Sequence, residues 1–183
     1  MNESQSAIYK APRGRDDLNG EYRFAFTLFG LPRNGGNGKV GKNGPDLKIY
    51  VSPEKKYGLP LFRFCIINVS KKHTTTDTFY LNPLKGQLFI STEGGDGGNG
   101  GFGEQKNGYT GFRGNGGNGG NGGAIEIYTD SITQHFIQRS MNSTYFSNIL
   151  LSNPGGIGGD GGVDGDGNGL HGINGPEIFY RVE

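Results

Sequence analysis

Short runs of alternating apolar and polar residues recur along this chain, and a period of two is typical of half-buried β-strands. Residues 61–69 are predicted to form a buried central strand. Residues 77–81 and 86–91 are predicted to pair with each other across a turn at residues 82–85, which contain Asn and Pro. The pattern predicts an all-β fold, with strands within residues 21–30, 45–52, 61–69, 77–81, 86–93, 124–130, 144–153 and 176–183.

A helical pattern is confined to residues 131–148. Ile132, Phe136 and Ile137 suit a short helical turn. The β-branched and polar residues around them make this a weak prediction.

Three glycine-rich runs lie between the strands, at residues 34–44, 94–123 and 155–175. Glycine recurs in them at every third position, a period that fits neither an α-helix nor a β-strand. It is the period of polyproline II, in which every third residue lies on one edge. Where such helices pack side by side, the shared edge must be glycine, because a Cβ atom would push the chains apart. The runs are therefore predicted to form polyglycine II arms that hydrogen-bond to one another.

The second run changes its glycine register at residues 104–107. Such a break predicts a hairpin tip between two arms, residues 94–103 and 108–123, which extend about 30 and 50 Å at ~3.1 Å per residue. The third run is predicted to reverse near residues 164–168. The first run is predicted to be a single short arm.

A strand, a glycine run and a second strand recur three times, and this repetition favours one architecture for the whole chain. In a Gly-Gly-Asn triplet, two edges of the helix can contact neighbours, while Asn faces outward and hydrogen-bonds locally. The prediction is a single domain over residues 1–183, a small β-sandwich or barrel that carries the polyglycine II arms. Residues 1–20 are predicted to be a flexible or extended N-terminal arm.

Glycine contributes 37 of the 183 residues, against about 7% in ordinary proteins. Such a composition also occurs in disordered linkers. The sustained triplet register and the flanking strands favour an ordered structure instead. Hydrophobic residues make up 32% of the chain, which is enough for a small core only.

Charge is unevenly distributed along the chain. Residues 1–90 contain 14 Lys and Arg against 7 Asp and Glu, whereas residues 91–183 contain 4 against 10. The asymmetry is compatible with a basic contact face, with association between copies, or with charges mixed over the folded surface. A loose group of lysines would suit nucleic acid, but without an aromatic and basic motif a solvated surface is favoured. The group is Lys39, Lys42, Lys48, Lys55, Lys56, Lys71 and Lys72.

Cys65 is the single cysteine, which excludes an internal disulfide and predicts a buried free thiol. The first residues contain no apolar run typical of a signal peptide. No stretch reaches the ~18 consecutive apolar residues of a membrane span. The expected location is the cytoplasm or a virion.

Two motifs suggest ligand binding but lack the required context. Residues 36–43 match a phosphate-binding loop without its Ser or Thr, and a strand rather than a helix follows. Asp164, Asp166 and Asn168 match the first half of a calcium loop, but Gly175 occupies the position of its bidentate glutamate. A loose calcium site at these three residues is the only metal candidate.

Catalytic arrangements are not indicated by the sequence. His73, His135 and His171 are far apart and have no paired spacing. The carboxylates lie in the glycine runs or on strands, where no pair can be assigned to a cleft. No catalytic residue, cofactor or enzymatic activity is therefore predicted.

Triplets such as GGDGGNGG and GGNGGNGG lead directly into strands such as AIEIYTD, and in this the chain resembles the N-terminal domain of the Obg GTPases. The resemblance covers the three glycine runs and the strands that follow them. It implies polyglycine II arms that project from a small β domain and dock on a large partner, as Obg docks on the ribosome. No GTPase domain follows the glycine part within these 183 residues, so the resemblance does not imply GTP hydrolysis.

A second resemblance is to the tip adhesins of phage tail fibres. In those proteins, layered polyglycine II helices hold variable loops that grip a cell-surface receptor. The present chain separates its glycine motifs by β-strands instead of short loops.

The predicted function is that of a non-catalytic structural or recognition module, which presents stiff arms and their tips to a macromolecular partner. That partner is expected to be a protein or a large assembly, and a homo-oligomer is also compatible. Two alternatives stay open: a receptor-binding adhesin or other virion component, and a factor associated with the ribosome or nucleic acid.

The predicted contact residues lie at the tip of the second run, because aromatic and Arg side chains on a glycine surface suit contact anchors. The aromatic residues could equally cover the side of the bundle. The contact residues are Phe102, Glu104, Gln105, Lys106, Asn107, Tyr109, Phe112 and Arg113.

Overall fold

The computed structural model describes residues 4–10, 34–56, 58–69, 75–83, 86–106, 108–142, 149–162, 167 and 172–182. Within these ranges the chain forms ten strands and one helix, α1 (Ser131–Asn142), which confirms the all-β class. The predicted strand at residues 21–30 lies outside the described ranges. The strands are β1 (Ser4–Lys10), β2 (Leu47–Lys56), β3 (Leu59–Asn68), β4 (Thr75–Leu81), β5 (Gln87–Glu93), β6 (Gln105–Lys106), β7 (Tyr109–Thr110), β8 (Ile125–Thr129), β9 (Ile149–Ser152) and β10 (Phe179–Val182).

The strands form a five-stranded sheet, a three-stranded sheet and the short pair β6–β7. The five-stranded sheet has the order β10-β8-β2-β3-β4, in which β2, β3 and β4 are antiparallel neighbours and β8 runs parallel to both β2 and β10. The three-stranded sheet has the order β1-β5-β9 and is parallel throughout. The predicted central strand is β3, which lies between two neighbours.

The predicted pairing of residues 77–81 with residues 86–91 is wrong. β4 belongs to the five-stranded sheet and β5 to the three-stranded sheet, so the chain passes from one sheet to the other between them. Gly86 makes the connection tight: its N–H donates to the Asn82 carbonyl at 2.9 Å, and Leu81 packs where a Cβ would lie. The alternation of apolar and polar residues predicts which face of each strand is buried, but it does not specify which strand lies beside it.

One hydrophobic core includes residues of both larger sheets and of the helix. Alternate positions of each strand contribute to it, as the period of two predicts. Cys65 lies on the other face of β3 and is half-buried, so the prediction of a buried thiol was too strong. The buried core side chains are Leu47, Ile49, Val51, Phe64, Ile66, Leu81, Leu88, Ile90, Ile125, Ile127, Ile137, Ile149 and Leu151.

Helix α1 packs at the core against strands of both larger sheets, namely β9 of the three-stranded sheet and β2 and β10 of the five-stranded sheet. Ile137 is fully buried in the core, and the ring of Phe136 stacks on Phe62 of β3 with centroids 4.6 Å apart. Ile132 of the same helix is 85% exposed. The buried side of the helix therefore begins at Thr133, four residues before Ile137.

Asp130 caps the N-terminus of α1. Its Oδ1 accepts hydrogen bonds from the N–H groups of Ile132 at 3.0 Å and Thr133 at 2.9 Å, and its Oδ2 accepts from the Thr133 hydroxyl at 2.7 Å. The bond from the Thr133 hydroxyl is the main reason that the pKa of Asp130 lies below its ordinary value. This cap satisfies donors that the first turn would otherwise leave free.

Five glycine segments connect the two larger sheets. They are segment 1 (residues 34–46), segment 2 (residues 94–104), segment 3 (residues 111–124), segment 4 (residues 153–162) and segment 5 (residues 172–178). Segments 2 and 4 follow β5 and β9 out of the three-stranded sheet, whereas segments 1, 3 and 5 lead into β2, β8 and β10 of the five-stranded sheet. The glycine runs therefore join one sheet to the other and extend both.

Candidate functional site

Backbone hydrogen bonds join the glycine segments at every third residue. In the antiparallel pair of segments 2 and 3, the N–H groups of Gly114, Gly117 and Gly120 donate to carbonyls of segment 2 at 2.8–2.9 Å. The same period of three relates segments 1 and 3, 2 and 4, and 3 and 4. Segment 3 bonds to all four other segments and is therefore the centre of the bundle.

Segment 3 uses two of its three edges for contact. One row of glycines faces segment 1 so closely that a Cβ on Gly117 would lie under 3 Å from the Lys39 carbonyl oxygen. A second row faces segment 4, where a Cβ on Gly119 would meet the Gly156 carbonyl. The third row is exposed and consists of Phe112, Asn115, Asn118 and Asn121.

Outward Asn and Asp side chains add a second set of bonds, here called the side-chain ladder. Each one accepts, through Oδ1, a backbone N–H of the next parallel segment. The donor is an outward residue, or Ala124 immediately before β8, so backbone donors outside the glycine contacts also find acceptors. The pairs are Asn34–Phe112, Asn37–Asn115, Asn43–Asn121, Asp46–Ala124, Asp96–Ile157, Asn99–Asp160 and Asn121–Ile173, at 2.8–3.1 Å.

The register of the ladder continues into the strands. Ladder partners on segments 1 and 3 are separated by 78 residues, and so are Leu47 and Ile125, which pair in β2 and β8. Ladder partners on segments 2 and 4 are separated by 61 residues, and the same offset relates Leu88 of β5 to Ile149 of β9. The apolar strands therefore fix which glycines meet.

The chain reverses at the far end of segments 2 and 3. β6 and β7 pair antiparallel, with Lys106 opposite Tyr109, and the Gly111 N–H donates to the Glu104 carbonyl at 2.8 Å. Gly108 has a φ of 80°, which favours glycine in this turn. The predicted reversal after residue 103 is therefore present. We call residues 102–106 and 108–113 the tip.

Three aromatic side chains of the tip face solvent. Phe102 is 60% exposed, Tyr109 66% and Phe112 82%. Gly35 of segment 1 lies against the backbone of both Phe102 and Phe112, which brings those two residues to either side of it. These exposures leave each of the three aromatic residues largely accessible to a partner.

The other predicted contact residues have different environments. Glu104 and Gln105 are exposed, whereas Arg113 is half-buried and lays its aliphatic carbons beside Gly162 of segment 4. Only the backbone of Lys106 is described, and Asn107 lies outside the described residues. The calcium candidates of the sequence, Asp164, Asp166 and Asn168, also lie outside the described residues.

Elsewhere, the β2–β3 hairpin carries an open apolar depression of about 570 Å³. Pro53, Pro60, Leu61, Phe62 and Pro83 form most of its lining. In the described part of the chain, no three His, Cys, Asp or Glu side chains come together in a way that could hold a metal ion. None of the helices described is long and apolar enough to cross a membrane.

Comparison of the chain with protein-family models, curated proteins and solved structures finds no match. The resemblances to the Obg N-terminal domain and to tail-fibre adhesins stay predictions. Function must therefore be argued from the geometry of the bundle, its tip and the sheets.

Proposed function

We propose that this chain is a non-catalytic structural or recognition module that holds an aromatic tip on a stiff glycine bundle for contact with a macromolecular partner. The observation that carries the proposal is the exposure of Phe102, Tyr109 and Phe112 at one end of the bundle. Large aromatic side chains are costly to leave in water and are enriched among the residues that dominate binding energy.

The fold assigned to this module is a small β-sandwich with polyglycine II arms. Support for the sandwich is the single core that combines side chains of both larger sheets. Support for polyglycine II is the hydrogen bond at every third residue together with glycine contacts that leave no room for a Cβ. All five segments belong to one domain with the strands that they extend.

Stiffness is what the bundle contributes to recognition. A free glycine-rich segment would lose much conformational entropy on binding. Here the segments are fixed in advance by backbone bonds and by the side-chain ladder. The tip therefore meets its partner already ordered, which reduces the entropic cost of association.

A triple variant tests the tip. Phe102→Ser, Tyr109→Ser and Phe112→Ser together remove the three aromatic anchors and leave the glycine contacts intact. The matched control is Ile132→Ser, Ile157→Ser and Ile173→Ser, which removes three isoleucines that are 63–85% exposed elsewhere on the molecule. Affinity capture from native lysate, quantified by mass spectrometry, compares both variants with the wild type.

We expect at least one partner whose captured amount falls by more than about tenfold in the tip variant and is unchanged in the control. The reason is that each binding anchor typically contributes ~2 kcal/mol or more. Both variants should melt as cooperatively as the wild type, which excludes unfolding as the cause. If the tip variant retains every partner that the control retains, the tip is not the contact surface.

Salt dependence separates the classes of partner. Binding to ribosomal RNA or another nucleic acid weakens steeply as salt rises, because counterions are released from phosphates. Binding of a tip adhesin to a receptor through aromatic anchors weakens little over the same range. The measured salt dependence of the captured complex therefore assigns the partner to one class.

A further inference from the structure

The five-stranded sheet has an outer face, opposite the core, that combines aromatic and basic side chains. Around Tyr50, strand pairing arranges this face in three rows that cross the strands through Lys48, Tyr50 and Ser52 of β2, and Glu54, which pairs with Leu61, follows them on the same face. The rows are Phe179–Glu126–Lys48–Ile67–Thr76, Arg181–Tyr128–Tyr50–Cys65–Thr78 and Ser52–Arg63–Tyr80.

Tyr128 lies at the centre of the densest cluster on this face. Its ring stacks on Tyr50 with centroids 4.7 Å apart. The Lys48 ammonium and the Arg181 guanidinium lie 5.7 and 5.8 Å from the centroid of the Tyr128 ring. These distances are within the range of cation–π attraction, so the rings and the cations hold each other in place.

The single carboxylate in the three rows is already engaged. Glu126 accepts a hydrogen bond from the Tyr128 hydroxyl at 2.7 Å and lies 3.5 Å from Arg181. The Tyr128 hydroxyl is the main reason that the pKa of Glu126 lies below its ordinary value, and this carboxylate stays ionised at neutral pH. Lys48, Arg63 and Arg181 outnumber Glu126 and the neighbouring Glu54 together, so this part of the face carries net positive charge.

The outer face of the sheet is exposed to solvent, although sheets that contain parallel strands are usually covered on both faces. β2, β8 and β10 are parallel neighbours, and parallel strands are normally buried on both faces. Helix α1 packs on the opposite face, where Phe136 stacks on Phe62. On the outer face Phe179 remains 55% exposed and Tyr50 37%.

We propose that this outer face binds single-stranded nucleic acid across the Tyr50–Tyr128 pair, with Lys48, Arg63 and Arg181 contacting phosphates. An open sheet face with aromatic rings suits unpaired bases, because every base has a π face that can stack on an aromatic side chain. The surrounding cations complement the phosphate backbone. An acidic peptide would match the charge but has no aromatic bases to stack on the rings.

The surface is separate from the tip. β2 begins where segment 1 ends and runs away from the glycine bundle. The proposal does not depend on the tip function, and the triple tip variant should bind nucleic acid as the wild type does.

Fluorescence anisotropy with a short fluorescein-labelled oligouridylate tests the proposal directly. The probe is titrated with the full chain between about 50 and 300 mM salt, and three phosphate contacts predict a slope of about −2 for log affinity against log salt. Lys48→Gln or Arg181→Gln should each reduce that slope by about 0.7. Tyr50→Leu should weaken binding by about tenfold or more with the slope unchanged.

The control variant is Lys55→Gln. Lys55 lies on the same strand as Lys48 and loses the same charge, but odd-numbered positions of β2 such as Ile49 and Val51 face the core side. Its binding should match that of the wild type. Melting curves confirm that all four variants are folded.

Three outcomes would overturn the proposal. The first is the lack of saturable oligouridylate binding at low salt. The second is an equal loss in Lys55→Gln and Lys48→Gln, which would show only a general charge effect. The third is displacement by an oligoglutamate peptide as efficiently as by unlabelled oligouridylate, which would assign the face to acidic peptides.

Discussion

The Oδ1 of Asn37 accepts a hydrogen bond of 2.9 Å from the backbone N–H of Asn115, which lies 78 residues later in the chain. The same separation relates Leu47 to Ile125 in the adjoining strands. Segment 1 and β2 therefore run beside segment 3 and β8 in one uninterrupted register. The side-chain ladder therefore contributes to the stability of the bundle, and the loss of one of its bonds should be measurable.

Asn37→Ala should destabilise the protein, because it removes one ladder bond and leaves the Asn115 N–H to water. A typical hydrogen bond contributes about 1 kcal/mol, which corresponds to a fall in Tm of roughly 2–4 °C for a chain of this size. Val40→Ala is the control, since Val40 lies one triplet further along segment 1, is 62% exposed and cannot accept a hydrogen bond. Equal melting temperatures for the two variants would contradict the ladder.

Gly108→Ala should loosen the tip. The φ of 80° at Gly108 costs a side-chain-bearing residue about 1 kcal/mol, whereas Asn tolerates this region better. The amide of Gly111, which donates to Glu104, reports the change by hydrogen exchange. Exchange should be faster in Gly108→Ala than in Gly108→Asn, and identical exchange in the two variants would argue against a strained turn at this position.

The glycine contacts could be predicted from the sequence, but their register could not. If segment 1 were shifted by three residues along segment 3, each glycine would still face the backbone of the other segment. The repeat alone therefore allows several alignments. The strands remove this freedom, since a shift would take Leu47 away from Ile125. The predicted strands that follow the glycine runs, β2, β8 and β10, were therefore the informative part of the pattern.

Two other features depended on contacts that the local pattern does not contain. β4 and β5 each have an apolar face, and only the tertiary structure places them in different sheets. The outer face of the five-stranded sheet could not be predicted from the sequence, because its members are single residues on separate strands. The sequence places Lys48 among several lysines, whereas in the structure its ammonium lies 5.7 Å from the centroid of the Tyr128 ring.

The cap of α1 should make stability depend on pH. The pKa of Asp130 is lowered in the folded chain, chiefly by the Thr133 hydroxyl, so the folded state favours the ionised carboxylate. Its contribution is therefore fully present at neutral pH and is lost as pH falls below about 4. Asp130→Asn keeps an acceptor for Ile132 and Thr133 but does not titrate.

The melting temperatures of the wild type and Asp130→Asn should therefore differ by a constant amount between about pH 8 and pH 5, and converge below about pH 4. Thermal melts in a buffer series provide the measurement. A difference that stays the same down to about pH 3 would show that the charge of Asp130 contributes nothing to the cap.

The bundle is held together by backbone contacts that only glycine permits, and the variant Gly117→Ala is the most direct test of these contacts. The added methyl group would lie under 3 Å from the Lys39 carbonyl oxygen, so segments 1 and 3 would have to separate. We expect a loss of about 3 kcal/mol or more and a fall in Tm of roughly 10 °C, with Val40→Ala close to the wild type. A Gly117→Ala protein that melts as the wild type does would contradict the close-packed glycine bundle.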